Sequence, residues 1–85
     1  MAQVRMYCTR SCPYCTRAEK LLKKKGVKIE KIDVGGNRSL WKEMEKITKR
    51  DTVPQIFIGD THVGGYDDLA ALEFDGKLDA LLKKA

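Results

Sequence analysis

Apolar and polar positions alternate from the start of the chain, with Val4, Met6 and Cys8 separated by Gln3, Arg5 and Tyr7. A period of two predicts a first strand with one face buried, ending at Thr9-Arg10-Ser11. From Pro13 to Lys25 the period lengthens. Cys15, Ala18, Leu21 and Leu22 fall on one face, Arg17, Glu19, Lys20 and Lys23 fall elsewhere, and Gly26 follows as a stop, which predicts an amphipathic helix. Val27, Ile29 and Ile32 then predict a second strand ending at Asp33. Strand, helix and strand in that order form a parallel unit with a right-handed crossover.

After Gly35-Gly36, either Asn37 or Ser39 is suited to cap a helix running to about Thr48, with Leu40, Met44 and Ile47 facing inward. Thr52 to Ile58 is the most strand-like run; Gly59-Asp60 is a turn pair, and Thr61-His62-Val63 returns as a short partner strand. Gly64-Gly65 interrupts before a helical stretch from Tyr66 to Phe74. Gly76 separates a last helix carrying Leu78, Leu81 and Leu82. The order βαβαββα, its final helical part broken, predicts an α/β fold: a four-stranded mixed sheet with helices on both faces, in one domain over residues 1–85.

A chain of 85 residues has a modest core and no room for a large internal pocket, so substrates are expected to bind on the surface. The apolar share of 42% and charged share of 34% are those of a soluble globular protein, with no segment apolar enough to span a membrane. Strand-like sequence starts at once, without the basic, apolar and small-residue series of a secretory signal, so a cytoplasmic setting is expected. The net charge of +5 lies largely in Lys23-Lys24-Lys25, Lys49-Arg50 and Lys83-Lys84, near expected helix C-termini, where cations complement the dipole. Six aromatic residues and no basic face interleaved with them argue against a nucleic-acid partner.

Three cysteines are too few for a disulfide scaffold, which turns attention to Cys12-Pro13-Tyr14-Cys15 at the first strand-to-helix junction. Positions three apart share a helix face, so the two sulfurs can close a small disulfide without unwinding the helix. Cys12 would stand at the helix N-terminus, where free N–H groups and the dipole favour the thiolate. A redox CxxC at this point of a βαβ unit is the thioredoxin-like arrangement.

The sequence resembles the glutaredoxin family, dithiol class, in three separated places: Cys12-Pro13-Tyr14-Cys15, Thr52-Val53-Pro54-Gln55-Ile56-Phe57-Ile58-Gly59, and Gly64-Gly65-Tyr66-Asp67-Asp68-Leu69. With their spacing, the likeness spans nearly the whole chain. It implies a glutathione-dependent thiol–disulfide oxidoreductase, with Cys12 and Cys15 as the redox pair and glutathione as co-substrate rather than a tightly bound cofactor. Physically, Pro54 lacks an N–H and, after a cis peptide, would leave Val53 to present its N–H and C=O beside Cys12. The resemblance implies that the cysteinyl part of glutathione pairs there, between Thr52, Val53 and Pro54, with Tyr14 at the edge. It places the γ-glutamyl end at Gly65, Tyr66 and Asp67, the carboxylate on N–H groups that open a helix and the amine toward Asp67. For Asp68, ordinary first-turn charge is the better reading.

Two positions depart from the family pattern. Thr9 stands where Lys or Arg is common, leaving Arg10 as the nearest cation for the thiolate or for the glycine carboxylate of glutathione. Trp41 occupies a position usually polar or basic, with Arg38 or Lys42 as substitutes; it is read as an aromatic rim or as cover for the core. Cys8 is read as a small buried residue and His62 as an exposed one with no catalytic or metal-binding role. Implied partners are glutathione and glutathionylated or disulfide-containing proteins, met by a monomer without membrane attachment. The alternatives are a redoxin coupled to thioredoxin reductase and a glutathione-ligated iron–sulfur cluster carrier, the latter disfavoured by Pro13. A zinc module would need Cys8 and His62 to converge on Cys12 and Cys15, and no metal site is expected.

Overall fold

A computed structural model describes residues 3–83. The elements are β1 (Val4–Cys8), α1 (Pro13–Lys24), β2 (Ile29–Asp33), α2 (Arg38–Thr48), β3 (Gln55–Ile58), β4 (Thr61–Gly64), α3 (Tyr66–Phe74) and α4 (Leu78–Lys83). The sheet order is β2-β1-β3-β4; β1 pairs parallel with β2 and antiparallel with β3, and β3 pairs antiparallel with β4. This is the mixed sheet that the alternation of periods predicts.

Each central strand buries both faces. Val4, Met6, Cys8, Ile56 and Ile58 meet Ala18 and Leu22 of α1, Leu69 of α3, and Leu78 and Leu82 of α4. On the opposite face Tyr7 and Phe57 meet Val34 and Met44, with Trp41 packed against them. Tyr7, expected on the polar side of β1, is therefore a core residue, its ring edge-on to Phe57 at 6.1 Å. An alternating strand under a helix on each side needs apolar atoms at every second position on both faces, and a tyrosine supplies them.

Asn37 rather than Ser39 caps α2, its Oδ1 accepting from the Leu40 N–H at 3.1 Å. The buried face of α2 includes Leu40 and Met44 as expected, but its C-terminal part is rotated. Trp41, Met44 and Thr48, spaced i, i+3 and i+7, turn toward the sheet, and Ile47 stands 46% exposed. Thr48 tolerates burial because its hydroxyl donates to the Met44 carbonyl at 2.7 Å. The predicted strand from Thr52 is shorter: Thr52–Pro54 is loop, and pairing starts at the buried Gln55, whose amide donates to the Thr52 carbonyl at 2.9 Å. Val27 is buried ahead of β2, whose pairing begins at Ile29. At the far end of the molecule, Lys25 bridges Glu73 at 2.8 Å and Asp79 at 3.0 Å, tying α3 and α4, on either side of the Gly76 break, to the end of α1.

The rotation of α2 gives a direct stability test. In urea titrations, Met44→Ala is expected to cost about 2–4 kcal/mol and Ile47→Ala less than about 1 kcal/mol, whereas an inward Ile47 would make the two costs similar.

Candidate redox site

Strand β1 ends inside the sheet, and the turn Thr9-Arg10-Ser11 delivers Cys12 to the N-cap of α1. Pro13 occupies the first helical turn, where its fixed φ suits the helix and its missing N–H leaves no donor unpaired. The Cys12 sulfur takes the position that a Ser or Asp side chain takes in most caps: the Cys15 N–H donates to Sγ at 3.3 Å. Thr16 fixes the turn from behind, its N–H and hydroxyl both donating to the Cys12 carbonyl, at 3.2 and 3.3 Å. A sulfur so placed meets a backbone donor and the positive end of the helix dipole, and both act most strongly on the thiolate.

The two thiols are unequal. Cys12 is half-buried and reaches the Val53 carbonyl at 3.8 Å, whereas Cys15 lies one helical turn inward and is 4% exposed. Burial, with the Cys12 sulfur beside it, pushes the Cys15 thiol up to about 12. Cys8 is buried, as expected, and burial raises its thiol too.

The peptide between Val53 and Pro54 is cis. It turns the loop before β3 so that Thr52, Val53 and Pro54 form one wall of a groove of about 320 Å³. Gly65, Tyr66 and Asp67 form the other wall, and Tyr14 closes an end. Seven of the eight residues expected to hold glutathione thus converge. Tyr14 is half-exposed, flanked by the Tyr66 ring at 6.3 Å and the Arg17 guanidinium at 5.5 Å. Gly65 is the N-cap of α3, so the N–H groups of Tyr66 and Asp67 open the helix without intrahelical acceptors.

Arg10 is not among the groove residues. It is the eighth, and its guanidinium pairs with Asp33 at 3.4 Å, 92% exposed, beside a separate cavity that Cys8, Cys15, Glu19 and Lys31 help to line. The one-residue shift from Thr9 turns its side chain toward β2. Trp41 covers the second core and, with Arg38, borders another depression near the start of α2. His62, expected to be exposed, is half-buried: its Nε2 lies 2.8 Å from Gln55 Oε1 and its ring stacks on Phe57 at 4.9 Å. Burial and the Arg50 charge lower its pKa, which keeps the ring neutral.

From the sequence, Arg50 after α2 and Asp68 in the first turn of α3 are read only as helix-end charges, yet both are residues of the groove. Arg50 lines it and donates from Nη1 to Asp68 Oδ2 at 3.0 Å, and the same oxygen accepts the Gly65 N–H at 3.0 Å. These bonds hold the Asp68 carboxyl below the usual carboxylate range, the Gly65 N–H contributing most. The sequence signal for the pair is a cation two residues before the proline-bearing motif and an anion within the glycine-bearing one. Among the described residues, no group of three or more His, Cys, Asp or Glu is placed to hold a metal ion, and no helix is long and apolar enough to cross a membrane.

Comparison with known proteins places this geometry. The sequence profile described as Glutaredoxin matches residues 4–63. Glutaredoxin 3 from Escherichia coli is 51% identical over 83 residues, covering 98% of this chain and 100% of that protein. The solution structure of a glutaredoxin from Brucella melitensis superposes with a TM-score of 0.86 at 52% identity, covering 98% of this chain and 90% of that one. A buckwheat glutaredoxin–glutathione complex superposes with a TM-score of 0.90 at 28% identity, covering 98% and 78%.

The unequal burial of the thiols sets their reactivity. With its thiol pushed up to about 12, Cys15 stays protonated near neutral pH. Iodoacetamide on the reduced native protein is expected to label Cys12 alone, Cys8 and Cys15 becoming labelled only after unfolding; peptide mass mapping reads this out, and native labelling of Cys15 would contradict it.

Proposed function

Because the chain belongs to the glutaredoxin family and is a glutathione-dependent thiol–disulfide oxidoreductase, we propose that Cys12 is its nucleophile, Cys15 its resolving thiol and the groove beside Val53 its glutathione cradle. The observation that carries this reading is the convergence on one groove of Tyr14, the Thr52–Pro54 loop and the start of α3, with Cys12 Sγ 3.8 Å from the Val53 carbonyl.

The Cys12 thiolate attacks the glutathione sulfur of a mixed disulfide. The S–S bond breaks, the other thiol leaves as a thiolate that takes a proton from water, and Cys12 becomes glutathionylated. A second glutathione thiolate attacks that new bond, leaving oxidised glutathione and regenerated Cys12. During both steps, the Val53 N–H and C=O pair with the cysteinyl backbone as an added strand would. The N–H groups of Tyr66 and Asp67 receive the γ-glutamyl carboxylate, and Asp67 takes the ammonium. Thr52, Pro54 and Gly65 shape the walls, and Tyr14 and Tyr66 shield the sulfur.

With a protein disulfide, Cys12 forms the mixed disulfide and Cys15 attacks it. The second substrate thiolate is released, and the Cys12–Cys15 bond is then reduced by glutathione. Cys15, protonated at rest, must lose its proton as it attacks, which restricts it to this intramolecular role. Arg10, directed toward Asp33, has no part in the cradle. The protein works in the cytoplasm as a monomer, on glutathionylated and disulfide-containing proteins, with glutathione as co-substrate and without a resident cofactor, nucleic acid or membrane.

Cys12→Ser is expected to abolish both reactions, and Cys15→Ser to keep turnover of a glutathione mixed disulfide while losing reduction of protein disulfides. Full activity of Cys12→Ser would overturn the assignment. Turnover with glutathione and its reductase should exceed turnover with thioredoxin reductase; the reverse would favour a thioredoxin-reductase-coupled redoxin.

A further inference from the structure

The Arg50–Asp68 pair has parts on three segments of the chain. The Arg50 backbone is anchored to the end of α2, where its N–H donates to the buried Thr48 hydroxyl at 3.1 Å. From there the side chain crosses to α3 and meets Asp68, which already accepts the N–H of Gly65, a residue of the opposite wall. The space between is opened by Gly64. Its φ is +114°, and a Cβ there would collide with the Asp68 carboxylate and come within 2.9 Å of Arg50 Nη1.

The β3–β4 ladder is irregular where it leads to this side of the groove. Ile56 pairs with Gly64 and Phe57 with His62, so the register shifts between them and Val63 is left out. At the floor the walls approach through Pro54 and Gly65, a Cβ on Gly65 lying 3.5 Å from the Pro54 carbonyl. Arg50, which also lines the groove, links its own segment to α3 through Asp68. It also neutralises Asp68, so the first turn of α3, which carries two acidic side chains, presents a smaller negative charge to an incoming carboxylate.

We propose that Arg50 is a positioning residue for glutathione: acting through Asp68, it sets the separation of the two groove walls and neutralises the second acid at the carboxylate-receiving end. This rests on the reading that glutathione occupies the groove. Arg50 leaves the reacting sulfurs untouched, so its effect falls on binding rather than on the exchange step.

The test is steady-state kinetics with a short glutathionylated peptide on Arg50→Ala, Arg50→Lys, Asp68→Asn, the Arg50→Ala/Asp68→Asn double variant and Asp67→Asn, each checked for wild-type urea stability. Arg50→Ala and Asp68→Asn are each expected to raise KM about fivefold with kcat within about twofold. The double variant should be no worse than the poorer single one, because both remove the same link. Arg50→Lys, which keeps the charge, should recover part of the loss. An Arg50→Ala KM within about twofold of wild type, or strictly additive losses, overturns the positioning role. If that happens while Asp67→Asn raises KM, the groove reading stands and only the role of Arg50 falls; if Asp67→Asn is also silent, both fall.

Discussion

The hydrogen bond from the Cys15 N–H to the Cys12 sulfur is the interaction on which the rest of the site depends. It is at once a helix cap and a device for holding a reactive sulfur. An N-cap side chain must accept from the first turn, and a thiolate does so better than a thiol. The cap bond therefore both starts the helix and fixes the sulfur at its N-terminus. Pro13 and the two hydrogen bonds from Thr16 to the Cys12 carbonyl hold the cap locally. The cap is a local property of about one helical turn, and the Val53 carbonyl, 3.8 Å from the sulfur, is its long-range neighbour.

Recognition, by contrast, is assembled over long distances in sequence. β1 lies in the middle of the sheet, so the loop that follows it sits beside the loop that precedes β3, its antiparallel neighbour. β4 returns along β3 and delivers the start of α3 to the same edge. The sheet order alone thus brings Cys12, Val53 and Gly65 to one end of the molecule. Differential burial then divides the labour between the thiols: the outer sulfur reaches the carbonyl of Val53, a groove residue, and the inner one is withdrawn into the core between α1 and β1. A surface groove is the form that a binding site takes in a chain whose core is filled on both faces of its sheet.

Most of this architecture could be read from the chain because period and punctuation agree along it. The alternation in β1, the helical spacing before Gly26 and the Asn37 cap each specify an element locally, and the structure follows them. Where the reading failed, the deciding contacts were tertiary. Tyr7 looked polar by alternation but lies under α2; Ile47 looked inward by spacing, yet Trp41 and Thr48 set the orientation of that helix. His62 seemed exposed on a hairpin, and only the structure stacks it on Phe57 and pairs it with Gln55. In the site, the motif-bearing residues line one groove, whereas Arg10, near Cys12 in sequence, turns away from it to pair with Asp33. The pairing of Arg50 was not legible locally for the converse reason: its partner is eighteen residues on, across a hairpin.

The account stands on glutathione lying along Val53 and the start of α3 when it is bound to Cys12. The most direct measurement is an NMR study of Cys15→Ser protein trapped as its mixed disulfide with isotope-labelled glutathione. Intermolecular NOEs from the cysteinyl protons to Val53, and from the γ-glutamyl protons to Gly65, Tyr66 and Asp67, are the predicted result. NOEs that place the tripeptide instead against Arg10, Glu19 and Lys31, in the cavity on the other side of α1, would contradict it.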